Sequence, residues 1–331
     1  MGDKLRALPK IAGIAGVGVV VLVISFVLSF PYDQVKDYLI RVAAGHRIDL
    51  QVGHAGPILG FGMKMEDVFL RTRPEPGKKP MGVSIEKAKA TVSPLAQLRG
   101  IQAVDLDIDA FGGTIEADLS ASPQLGSTRL AAEGLSMAQL PGLRESINLP
   151  AGGTLDLEMD LKMPNNRNGE AFGPVQWSCA SCSLGDGKAK LRIAGNPLLT
   201  EGVSLPKINL GDFLGKITFE KGVGRLQGVH AKSADGELFI EGEIRLADPL
   251  PFTHVDIYVR FRFADAFLAK AEKLKLMMEI TESMGKRPDG FYGFRMTGPV
   301  GRLGPIQWMK ASPFPSSGRA STDKQPTPHE G

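Results

Sequence analysis

Along most of the chain, apolar and polar side chains alternate with a period of two. The clearest run sets Leu155, Leu157, Met159, Leu161 and Met163 against Asp156, Glu158, Asp160 and Lys162. A strand built this way has one oily face and one charged face. The same alternation returns in Val104 to Ala110 against Asp105, Asp107 and Asp109, and in Ile115, Ala117 and Leu119 against Glu116 and Asp118. It returns again in Leu238, Ile240, Gly242, Ile244 and Leu246 against Glu237, Glu241, Glu243 and Arg245, and in Val255, Ile257, Val259, Phe261 and Phe263 against Asp256, Tyr258, Arg260 and Arg262. Half-buried strands of this kind pair antiparallel. Glycines in Phe111-Gly112-Gly113-Thr114, Ala151-Gly152-Gly153-Thr154 and Ala234-Asp235-Gly236-Glu237 supply the positive φ that hairpins need. The expected class is mainly β: an elongated antiparallel β-sheet made by reusing one strand-turn-strand unit. Because the outer faces are charged, the apolar faces must close on each other, on a helix or on a ligand, as a trough or a flattened sandwich.

Helical spacing interrupts this pattern in three places. Ile11 to Phe30 carries no charge and, as a helix, spans about 30 Å, the thickness of a bilayer core. Lys4, Arg6 and Lys10 precede it and Asp33 and Asp37 follow, so the positive-inside rule leaves Met1 cytoplasmic and the rest of the chain outside. A cleaved signal peptide would have a shorter apolar core ending in a small-x-small site, whereas this run ends Leu28-Ser29-Phe30-Pro31. Ala12 and Gly16 have the spacing that lets two spanning helices pack closely. Asp33 then caps an amphipathic helix with Val35, Tyr38, Leu39 and Val42 on one face, ending near Gly45. A second amphipathic helix starts at Asp265, carries Phe267, Leu268, Ala271, Leu274, Met277 and Met278 as a stripe that covers the sheet, and stops near Gly285. Past Ala311 the chain is Pro, Ser, Thr and charge, the composition of a disordered tail. The expected organisation is 1–10 cytoplasmic, 11–30 anchor, 31–310 β-rich domain and 311–331 tail.

Composition narrows the chemistry. The 331 residues are 43% hydrophobic and 23% charged, with 39 Lys and Arg against 36 Asp and Glu, so the material is globular and carries no basic block for nucleic acid. The 40 Gly and 23 Pro argue against a helical bundle, since both interrupt helices.

Each candidate motif has a plainer reading. Asp105, Asp107, Asp109 and Glu116 fall at positions 1, 3, 5 and 12 of a calcium loop, but Ala110 stands where Gly is needed and Leu106 and Ile108 are core residues, so a solvated strand face accounts for them. Cys179 and Cys182 face an oxidising space if the anchor is right, which makes a local disulfide the expected state. A redox centre would need a helix start in a βαβ unit, and zinc two further ligands. Gly222-Val-Gly224-Arg-Leu-Gln-Gly228 has its third Gly one residue late for a dinucleotide loop and reads as a hairpin. Ser84-Ile-Glu-Lys87 has acyl-enzyme spacing but lies in a strand pattern without a companion Lys-Thr-Gly. The histidines at 46, 54, 230, 254 and 329 are scattered, and no catalytic, cofactor or metal residue is assigned.

The order of several phrases resembles a known family. After the anchor and Pro31-Tyr32 come Ser93-Pro94-Leu95 before Val104-Asp105-Leu106, then Gly112-Gly113-Thr114-Ile115. Leu205-Pro206-Lys207-Ile208 leads through Gly215-Lys216-Ile217 to Gly222, and Asp235-Gly236-Glu237-Leu238 is followed by Gly242-Glu243-Ile244-Arg245-Leu246. From the anchor to Trp308 the chain resembles the protein N family of the bacterial type II secretion system, whose periplasmic part is similar to the AsmA-like group. The Cys179 and Cys182 pair also looks like a feature of that group. The resemblance implies a single-pass inner-membrane protein, N-terminus cytoplasmic and bulk periplasmic, that serves as a non-enzymatic accessory of protein export and contacts other secretion components and membrane lipid. It brings no catalytic residues.

The alternative function is AsmA-like lipid transfer, with a phospholipid held by its acyl chains against an apolar groove. The side chains that would line it are Leu155, Leu157 and Met159, with Leu238, Ile240 and Ile244, and Val255, Ile257 and Val259. A dry core packed on itself is the competing account of the same residues. A partner-binding role would instead use the charged face, where Arg260→Glu is expected to weaken secretion without lowering stability.

Overall fold

A computed structural model of the chain describes residues 32–45, 48–58, 61–72, 82–140, 149–191, 203–204, 206–300 and 303–314. The expected cytoplasmic segment and anchor lie outside these residues, as does 315–331. No helix among the described residues is long and apolar enough to cross a membrane. The chain divides into two compact units, Met1–Gly142 and Leu143–Gly331, where the sequence suggested one body over 31–310. Both are mainly β and antiparallel.

The first unit opens with α1 (Tyr32–Gly45), which packs against β1 (Ile48–Pro57). Then follow β2 (Gly62–Thr72), β3 (Gly82–Val92), the short α2 (Pro94–Leu98), β4 (Gln102–Ala110), β5 (Gly113–Ala121) and β6 (Leu125–Ser136). Each strand pairs with the next, as a repeated strand-turn-strand unit requires. Asp33 sits in the first turn of α1, where its charge complements the helix dipole. Val35 and Leu39 are half-buried, but Tyr38 and Val42 remain exposed, so only part of the expected face is covered. The β4–β5 turn places Phe111 and Gly112 at φ 56° and 77°, the mirror-image turn whose twist matches the strands it joins.

The second unit contains β7 (Ala151–Pro164), β8 (Gly173–Leu184), the two-residue pair β9 (Lys190–Leu191) and β10 (Val203–Ser204), then β11 (Ile208–Glu220), β12 (Val223–Lys232), β13 (Gly236–Arg245) and β14 (His254–Phe263). Helices α3 (Asp265–Leu268) and α4 (Glu272–Gly285) follow, and β15 (Tyr292–Pro299) and β16 (Gln307–Trp308) close the order. β8 pairs with β11, so the β9–β10 ribbon is an excursion from an otherwise sequential meander.

Several expectations change here. The Ala151–Thr154 glycines form no hairpin: they start β7, where the register shifts between Gly152 and Thr154 and Gly153 takes φ 116° as a bulge. Gly236 follows a real turn, yet its need for Gly is spatial, because a Cβ there would strike the Arg262 carbonyl across the β13–β14 pair. The helix expected over 265–285 is broken. Ala271, with φ −127° and ψ 59°, begins α4 afresh, and Asp265 lies in the first turn of α3 instead of capping a long helix. The stripe nevertheless does what its spacing predicts: Phe267, Ala271, Leu274, Met277 and Met278 join Leu149 and Ile208 in one buried cluster, with Phe261, Phe263, Leu268 and Tyr292 packed around it.

Tyr258, expected on the charged outer face of β14, is fully buried. Its hydroxyl donates to the Met309 carbonyl at 3.1 Å and accepts from Arg287 Nη1 at 3.1 Å. Arg260 beside it lies 4.3 Å from the Phe239 ring and 5.7 Å from the Phe291 ring, with its Nε buried and unbonded. Ser312 donates to Glu241 at 2.8 Å, so residues 311–314, read from composition as the start of a tail, have fixed places. This part of the outer face therefore has a cover of its own, and Arg260 is a packing residue, unsuited to a clean test of partner binding.

Candidate functional site

Cross-strand register brings the nine predicted groove residues onto one face of the second unit. Leu155 and Leu157 pair with Cys179 and Trp177, and Met159 with Val175. Those β8 positions pair in turn with Phe213, Gly215 and Ile217 of β11. Phe213 meets Ala231 of β12, and Ala231 and Val229 meet Leu238 and Ile240 of β13. Finally Ile240 pairs with Val259 and Ile244 with Val255, while Ile257 lies opposite Gly242. Partners directly opposite in a pair share a face, so the whole series is one apolar surface. Trp177 fits there because it lies across Gly215, where any Cβ would collide with its ring.

Helix α4 covers only one end of that surface. Beneath it is a cavity of about 260 Å³. Leu274, Met277 and Met278 of α4 form its roof, and Ile208, Leu210, Ala231, Leu238, Val259, Phe261 and Phe263 form its floor. Phe294, Ile306 and Trp308 close one side. Phe261 and Phe294 meet edge to face at 6.0 Å, as do Phe294 and Trp308 at 5.9 Å, the geometry aromatic quadrupoles favour. Of the nine predicted residues, Leu238 and Val259 line the cavity. Away from α4, Leu155, Leu157, Met159, Ile240, Ile244 and Ile257 are half-buried, and Val255 is buried among its neighbours. Sequence reasoning missed Ile208, Leu210, Phe294, Ile306 and Trp308. The alternation Tyr292, Phe294, Met296 carried a signal for β15, but the two-residue β16 is too short to show a period.

Ion pairs and hydrogen bonds on the opposite face hold the strands together. Arg295 grips Asp256 through two hydrogen bonds of 2.7 and 2.6 Å, which holds that carboxyl below its usual range. Glu237 is likewise lowered, first by its hydrogen bond from Lys232 and also by Arg262. On the apolar side, where Tyr292 stacks on Phe261, burial pushes its hydroxyl up. In the first unit, Asp105, Asp107 and Asp109 lie along β4 with Lys87 opposite Asp109 and Lys89 opposite Asp107, while Glu116 of β5 faces Asp107 from the other side. The calcium-like spacing is thus a charged strand face. Among the described residues no three His, Cys, Asp or Glu side chains are placed to hold a metal ion. Ser84 and Lys87 lie within β3, and Lys221-Gly222, at φ 50° and 72°, is a hairpin turn.

Cys179 and Cys182 are joined by a disulfide across a register shift in β8, both nearly fully buried, with Ser181 between them at φ 53°. The bond ties a bulge on the apolar face. Compared with family models, curated proteins and solved structures, the chain has no significant match in any of the three.

Proposed function

We propose that this protein is a non-enzymatic holder of lipid acyl chains, which lie on the apolar face of the second unit with one tail in the cavity beneath α4. The observation that carries this reading is the mismatch between a continuous apolar face and a helix that covers one end of it. Half-buried aliphatic side chains in a row are stabilised by an apolar ligand as they would be by a second protein layer. At about 260 Å³ the cavity lies just below the roughly 300–1,000 Å³ usual for pockets that enclose a whole ligand, which suits a single tail with the remainder lying along the open face. The disulfide supports placing the domain in an oxidising compartment such as the periplasm.

The test is native mass spectrometry with lipid extraction on the full chain taken from membranes in mild detergent. Phospholipid is expected in stoichiometric amount, and Leu238→Trp, which fills the cavity, is expected to reduce it. A protein that is lipid-free from the outset would defeat the reading. The second reading, an accessory component of type II secretion in the inner membrane, is supported by the order of the phrases shared with the protein N family. It predicts that loss of the protein lowers export of folded proteins while leaving envelope lipid unchanged.

A further inference from the structure

Between β13 and β14 the chain passes through Asp248, Pro249 and Pro251 and holds Leu250 and Phe252 54% and 67% exposed. The loop after β15 adds Val300 and Leu303, at 57% and 43%, and the Val300 N–H donates to the Thr253 carbonyl at 2.8 Å, which brings the two loops side by side. The loop that carries Leu250 and Phe252 is braced from several sides. The Asp248 carboxylate accepts from the Asn168 backbone N–H at 3.1 Å, from the Asn168 side chain at 2.6 Å and from the Gly169 N–H at 3.4 Å. The hydroxyl of buried Thr253 accepts from the Ala247 N–H at 3.3 Å, and Phe252 N–H donates to the Pro249 carbonyl at 3.1 Å. Large apolar side chains held outward by a braced loop mark a contact with something apolar.

Two further observations select the occupant. Ile244 and Val255, the last apolar pair before this loop, belong to the same face whose other end, at Leu238 and Phe261, lies in the cavity. The tips therefore stand at the open end of the apolar surface. Among the described residues at this end, Arg245 lies 3.3 Å from Glu243 and Arg167 2.8 Å from Glu170, so much of the nearby charge is balanced within the chain and the exposed apolar tips are left to make the contact. We infer that Leu250, Phe252, Val300 and Leu303 insert into the surface of a phospholipid bilayer, at the point where an acyl chain passes between membrane and protein. The inference rests on the acyl-chain reading and names the place of exchange.

The experiment uses the full chain in phosphatidylcholine vesicles, with an environment-sensitive dye on Phe252→Cys and, as control, on Lys216→Cys at an exposed position in the middle of β11. Spin-labelled acyl chains in the vesicles act as quenchers. The dye at 252 is expected to shift to the blue and to be quenched several-fold more than at 216, with little change at high salt, because insertion is apolar. Equal, weak quenching at both positions overturns the inference. So does a blue shift that grows with protein density without quenching, which assigns the tips to a second copy of the chain. Leu250→Asp with Val300→Asp, in the Phe252→Cys background, is expected to abolish quenching and leave bound phospholipid unchanged. With Leu250 and Val300 intact, phospholipid retained by a protein whose 252 dye is unquenched defeats docking alone, and a quenched dye on a lipid-free protein defeats the acyl-chain reading alone.

Discussion

In the first unit the apolar face sets alanines between aliphatic side chains: Ala88 pairs with Ile108, Ala90 with Leu106, and Ala117 with Leu106 on one side and Leu130 on the other. In the second unit Phe261, Phe263, Phe294 and Trp308 occupy the corresponding kind of surface, and α4 lies over them. The strand grammar is the same in both. The difference is that aromatic side chains give a covering helix deep holes to fill, so Leu274 and Met278 reach 2% exposure, the values of a true core. Among the described residues the first unit has for helices α1, which buries no side chain fully, and the five-residue α2. An aliphatic face without a cover is stabilised chiefly by its ladders, whereas a covered aromatic face adds burial on the order of 25 cal/mol for each Å².

The sharpest way to break this comparison is Leu274→Ala. It should destabilise the second unit by about 3 kcal/mol, by loss of transfer energy and the cavity left behind. Hydrogen exchange is expected to quicken in β11–β15 and to stay unchanged in β2–β5; equal loss in both would mean that the units share one core. Next in size, Arg260→Glu removes a cation from the Phe239 ring and sets a carboxylate near Glu241, now 4.0 Å from the Arg260 side chain, for a loss of about 2 kcal/mol in thermal unfolding. Lys89→Gln, on the exposed charged face of the first unit, should stay within about 0.5 kcal/mol. Three added carbons test the covering directly. Ala231→Leu, 2% exposed in the cavity floor, should lose about 1.5 kcal/mol through overpacking, and Ala90→Leu, half-buried in the first unit, much less, as read by urea midpoints. The smallest effect is a pH dependence. Hydrogen bonds from Asn168 and Gly169 hold the Asp248 carboxyl below its usual range. Its folded pKa lies below the unfolded one, so the brace is intact at neutral pH and is lost only as pH falls below about 4 and through the folded value. Exchange at Asn168 and Gly169 is expected to rise there and not between pH 5 and 8.

Sequence reading reached five of the strands (β4, β5, β7, β13 and β14), two of the tight turns, the disulfide and the stripe of α4, because each depends on residues within a few positions of one another. It also picked the nine side chains that register later places on one face, since period two assigns a face to every residue of a strand. It misjudged the outer face of β14. Tyr258 shares a face with Asp256 and Arg260 and so read as exposed, but its hydroxyl meets a carbonyl 51 residues further along the chain. Arg260 followed the same error, because no local pattern announces that Phe291 will lie near its guanidinium.

What the sequence determined by itself is therefore the local geometry: alternation fixes which side chains share a face, and Gly112 at positive φ marks where β4 turns into β5. Only the tertiary structure decided which part of the apolar face is covered, where the 265–285 helix breaks, and how the 246–253 loop is braced. Those outcomes depend on contacts such as that of Asp248 with Asn168, 80 residues apart, whose partners are neighbours only through the register of the strands between them.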